Sequence, residues 1–146
     1  MVDFNDYKIV NICNIANIER AIKDVIYPAG CIKVLLSATR GQIEYMESAG
    51  LVESKYAVIK PIIDINRKYL FVSIQKQWEE FLYKYQTGIN LQIGVFEHLK
   101  IYVHNKETQE YIADAFETLE IEMQKEMEMI NEYKNMKKSY MGKLFV

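Results

Sequence analysis

Two histidines, two cysteines and two polar loops are where side-chain chemistry could gather in this chain. His98 and His104 flank an apolar run at an even offset that could put both on one face. Neither has a cysteine or an acid beside it at ligand spacing, so no metal site is expected. Cys13 and Cys31 have no histidine nearby in sequence to activate a thiolate. Two cysteines are too few for a disulfide framework, and both are expected as buried free thiols of a reducing cytoplasm. Gly41, Gly50, Gly88 and Gly94 stand alone, without the spacing of a phosphate-binding loop. The carboxylates of the last forty residues spread along a solvated helix face rather than pairing for acid–base work. No catalytic residue and no cofactor is expected.

The polar loops remain. The tip from 37 to 42 offers Ser37, Thr39, Arg40 and Gln42, and the stretch from 87 to 92 offers Thr87, Asn90 and Gln92. Arg, Asn and Gln can bond base edges in a bidentate manner, and Ser and Thr bond phosphates or bases. Turns are polar for local reasons as well, so composition alone leaves both readings open.

Short elements must position these loops. Tyr7 to Ile12 reads as a first strand. Ile15, Ile18, Ile22 and Val25 have partial helical spacing and leave their stretch ambiguous. Tyr27-Pro28-Ala29-Gly30 is a turn. Cys31 to Leu36 and Gln42 to Met46 read as a hairpin, and Tyr56 to Ile59 as a further strand stopped by Pro61. A helix is predicted from Arg67 to Tyr85, buried along Leu70, Ile74, Trp78, Phe81, Leu82 and Tyr85, and ended by Gly88. Leu99 to Val103 is the last strand.

The remainder, residues 106–146, reads as one long helix capped by Asn105. Its apolar residues recur every three or four positions, through Phe116, Leu119, Met123, Ile130 and Tyr133. At 1.5 Å per residue the helix would be roughly 50 Å long. A stripe of that length needs a cover, and a second helix is expected to supply it. Glu126 and Lys137 interrupt the seam as a strict heptad.

The chain has 146 residues and is 50% hydrophobic, enough for one ordinary domain and an appendage. No apolar run approaches a membrane span, and no signal pattern opens the chain, so a cytoplasmic protein is expected. Residues 1–105 hold 12 Lys/Arg against 11 Asp/Glu, and residues 106–146 hold 6 against 9. Any nucleic-acid contact would therefore be a local patch on the near-neutral globule, not the acidic helix. The expected fold is α+β: a small mixed globule of short strands with one packed helix (1–105), then a long helix (106–146) that pairs as an antiparallel coiled coil.

Gly88-Ile89-Asn90-Leu91-Gln92-Ile93, then Phe96 to Val103, then Lys106-Glu107-Thr108-Gln109 and Ile112, resemble the specificity (S) subunits of type I restriction–modification systems. There a target-recognition domain ends in a Gly-x-x-x-Gln loop, a strand and a Glu-x-Gln lead-in to a long helix. Lys134-Asn135-Met136-Lys137-Lys138 and Leu144-Phe145-Val146 are similar to that helix's basic end and apolar tail. Upstream, Pro28 to Ile32, Gly41 and the stretch from Asp64 to Leu70 are similar too. The chain departs from the family at His104-Asn105-Lys106, where Pro-rich residues are usual.

The resemblance implies a half subunit, with one recognition domain and one helix. It would read half of a split site in double-stranded DNA and dock methyltransferase subunits that carry the cofactor and the chemistry. An identical chain is the nearest helix partner, giving a homodimer. The alternative is a protein-interaction module, or a modulator of restriction, that has lost DNA binding.

Overall fold

The computed structural model describes residues 1–37 and 41–145. The described chain is α+β, as expected, with strands β1 (Tyr7–Asn11), β2 (Ala16–Arg20), β3 (Ile26–Tyr27), β4 (Ile32–Leu35), β5 (Ile43–Tyr45), β6 (Gly50–Leu51), β7 (Tyr56–Pro61) and β8 (Lys100–His104). Helix α1 spans Arg67–Tyr85 and helix α2 spans Lys106–Leu144. Two 3₁₀ turns, Ile12–Asn14 and Ile93–His98, precede β2 and β8.

The largest sheet has the order β2-β7-β4-β5, and every neighbouring pair in it is antiparallel. β7 is central, and its consecutive residues Ala57, Val58 and Ile59 are all buried. A strand covered on both faces loses its polar alternation. Ala57 and Ile59 join Ile32, Val34, Leu70 and Ile74 in the main core, while Val58 joins Tyr27, Cys31, Met46 and Val52 in a smaller one.

The stretch around Ile18 resolves as strand rather than helix. Ile18 pairs with Ile59 and Asn17 with Lys60 across β2 and β7. Backbone pairing to a central strand overrides a three-to-four spacing of apolar residues. β3 pairs with β6, and β1 pairs with β8 over the full register from Tyr7↔His104 to Asn11↔Lys100.

Cys31 is buried but Cys13 is exposed, which corrects the expectation of two buried thiols. The 3₁₀ turn at Ile12–Asn14 directs Ile12 into the core and leaves Cys13 outside.

The side chain of Asn66 caps α1, accepting from Tyr69 N–H at 3.0 Å. Tyr69, Leu70, Ser73, Ile74, Trp78 and Phe81 form its buried face. Asn105 caps α2 in the same manner, accepting from Thr108 N–H at 2.9 Å.

The chain divides into two compact units, Met1–Ala113 and Asp114–Val146. Within the first, Thr108, Gln109 and Ala113 are buried, and Asp3 N–H donates to Thr108 Oγ1 at 3.0 Å. In the second, every described residue is exposed, including Phe116, Leu119, Met123, Ile130 and Tyr133. At 39 residues α2 is about 58 Å long.

Candidate nucleic-acid interface

The tip between β4 and β5 and the segment after α1 are both built on the C-terminal half of α1. Trp78 Nε1 donates to the carbonyl of Gly41. Gly41 has φ +63°, and a Cβ there would lie 2.6 Å from a Leu82 methyl carbon. Only glycine fits this close approach without strain. Leu35 N–H donates to Gln42 O at 2.9 Å and closes the hairpin.

A backbone bond joins the loops: Leu91 N–H donates to Leu36 O at 2.9 Å. Leu36 and Leu91 are each 2% exposed, so the bond lies on a buried apolar floor. Beneath it Trp78, Phe81 and Phe96 pack together, with ring centroids 5.4 to 6.0 Å apart.

Ser37, Gln42, Thr87, Asn90 and Gln92 are all exposed around this joint. Thr39 and Arg40 belong to the same tip but lie outside the described residues. The structure thus brings together the two loops that sequence offered separately. Gln92 begins the Ile93–His98 turn, yet its side chain makes no capping bond.

Beside the joint, Gln77, Phe81, Tyr85, His98 and Lys100 line a cleft of about 280 Å³. Tyr85 and His98 stack within it at 4.7 Å and 10° between ring planes. Lys84 bonds Glu80 at 2.5 Å, which holds the Glu80 carboxyl below the usual range and largely cancels the lysine charge. Lys100 is the cleft cation that makes no ion pair with a described residue. Sequence reasoning missed this cleft, because a helix end and a 3₁₀ turn far apart in the chain build it.

Neither thiol is prepared as a nucleophile. Burial pushes the Cys31 thiol up, and at the exposed Cys13 partial desolvation and then the nearby Glu97 carboxylate act in the same direction. His98 stacks on Tyr85, whereas His104 bonds Tyr69, so the two histidines serve different neighbours. Among the described residues no helix is long and apolar enough to cross a membrane.

The fold has a solved counterpart. The crystal structure of a type I restriction–modification S subunit from M. genitalium superposes with a TM-score of 0.69 at 13% identity, covering 86% of this chain. This chain spans 42% of the length of that subunit. No curated protein sequence matches. The family model for the type I restriction modification DNA specificity domain matches residues 2–134. That match takes in the globule, the paired loops and most of α2, and the chain accordingly belongs to the type I restriction–modification DNA specificity family.

Proposed function

We propose that this chain is a non-catalytic DNA sequence-recognition subunit of a type I restriction–modification system. It reads one half-site with the loops at 37–42 and 87–92. It works in the cytoplasm, and methyltransferase subunits dock on it and supply the chemistry. The observation that carries this reading is the Leu36–Leu91 bond, which joins the segments that carry Ser37, Gln42, Thr87, Asn90 and Gln92 over a buried apolar floor. Side chains able to bond base edges need such fixed presentation to discriminate sequence. Arg40 and Thr39 add a charge and a hydroxyl to the same tip.

The test is titration of duplex DNA at several salt concentrations, with the methyltransferase subunit present. Wild type should select a sequence from random duplexes and bind it more weakly as salt rises. Gln92→Ala and Arg40→Ala should each cost about 1–3 kcal/mol on that site if the contact is a base edge. A uniform loss over all sequences would assign the residue to phosphate instead. No DNA binding under any of these conditions would overturn the reading and leave the protein-interaction alternative.

A further inference from the structure

Ile89 is 74% exposed and stands between the exposed residues Gly88 and Asn90. A lone exposed isoleucine is ordinary on a protein surface. This one stands in a loop whose backbone is tied on both sides. The next residue but one, Leu91, is buried and bonded to Leu36 O. On the other side Gln86 N–H donates to Leu82 O at 2.9 Å, tying the loop to the end of α1. The Gln86 side-chain amide also reaches the Ile89 carbonyl, at 3.5 Å. A β-branched side chain adds its own stiffness at χ1. The result is an apolar group on a backbone held on both sides, set among the hydrogen-bonding groups of Thr87, Asn90 and Gln92.

The major groove offers one apolar feature among its donors and acceptors, the thymine 5-methyl group. The adenine opposite presents N6 and N7, which suit the amide of Asn or Gln. Resting on the DNA-reading proposal above, we propose that Ile89 is a specificity-determining residue that packs on a thymine methyl. The loop then reads an A·T pair with an apolar contact from Ile89 and an amide contact from Gln92, whose side chain caps nothing in the protein.

The experiment uses the full chain with the methyltransferase subunit present, and the duplex that wild type selects from a random pool. Each thymine is replaced in turn by deoxyuridine, which removes only the methyl group. At one A·T position wild type should lose about fourfold in affinity, the scale of one buried methyl-sized group. Ile89→Ala should bind the original duplex correspondingly less well and be indifferent to deoxyuridine at that position alone. Leu51→Ala, an exposed apolar truncation on the separate β3–β6 sheet, should respond to deoxyuridine as wild type does. If methyl removal affects wild type and Ile89→Ala alike at every position, the inference fails while the DNA-reading proposal stands. If wild type selects no sequence at all, both fail together.

Discussion

The side-chain amide of Gln109 spans from the start of α1 to the end of β8. Its Oε1 accepts from Asn66 N–H at 3.1 Å, and its Nε2 donates to the carbonyl of His104 at 2.8 Å. Gln109 is 6% exposed, so both bonds form largely away from water. A buried amide with both ends matched fixes position in a way that an apolar side chain would not. It registers the first turns of α2 against the globule. The Glu-x-Gln lead-in seen in sequence thus has a physical role for its glutamine.

Removing that amide should be costly. Gln109→Leu leaves Asn66 N–H and the His104 carbonyl without their partner, and should lower stability by about 1–3 kcal/mol. Urea unfolding followed by circular dichroism measures it. A variant within 0.5 kcal/mol of wild type (the scatter of ordinary surface changes) would show that water replaces the amide freely.

Gly41 should resist substitution for two separable reasons. Its left-handed backbone alone should make Gly41→Ala cost about 1–2 kcal/mol. Asn tolerates that conformation better, so Gly41→Asn should cost less if the backbone dominates. Equal costs would point to the Leu82 contact at 2.6 Å instead. Thermal denaturation of the two variants decides between them.

Stability should fall in strong alkali through Tyr69. Its hydroxyl donates to Tyr102 O at 2.8 Å, accepts from His104 N–H at 3.1 Å and contacts His104 Nδ1 at 2.6 Å. Burial pushes its phenol above the ordinary range. The folded state therefore holds the proton more tightly than the unfolded chain does. The stabilisation is complete below the unfolded value of about 10 and is lost as pH rises through the folded one. Tyr69→Phe should be less stable than wild type at pH 7, by about 1 kcal/mol for the lost bonds. It should lose less further stability than wild type between pH 9 and 11. Denaturant melts across that range test the sign, and parallel curves would refute it.

Self-association should run through α2. We propose an antiparallel homodimer, because that pairing sets the acidic first half of one helix against Lys134, Lys137, Lys138 and Lys143 of the other. Burial of Ile130 from both copies is worth about 1.5–3 kcal/mol each. Ile130→Asp should therefore weaken the dimer by more than tenfold in sedimentation. A wild type that stays monomeric at tens of micromolar, like the variant, would rule the pairing out.

Helix α1 was legible because its signals are local. Apolar residues at helical spacing and Gly88 past the end both act within one or two turns, and the observed Arg67–Tyr85 matches the predicted span. The hairpin was legible for the same reason. β2 was not, since Ile15, Ile18 and Ile22 fit a helix until β7 lies alongside. The loops could be read as polar, but not as neighbours. Their adjacency comes from contacts such as the bond between Leu36 and Leu91, across a sequence gap with no periodicity to announce it. The Tyr85–His98 stack was hidden likewise, since the helical stripe that includes Tyr85 does not say that His98 lies against it.

Division of labour within the two loops bears on how such a protein changes its target. Leu36 and Leu91 hold the backbone from below, while Ser37, Gln42, Thr87 and Gln92 are exposed and bear little of the packing. Their side chains are then letters on a fixed line of type. Exchanging several at once should leave the melting temperature nearly where it was while rewriting which duplex is held. New specificities would be reachable by small steps, without passing through unfolded intermediates.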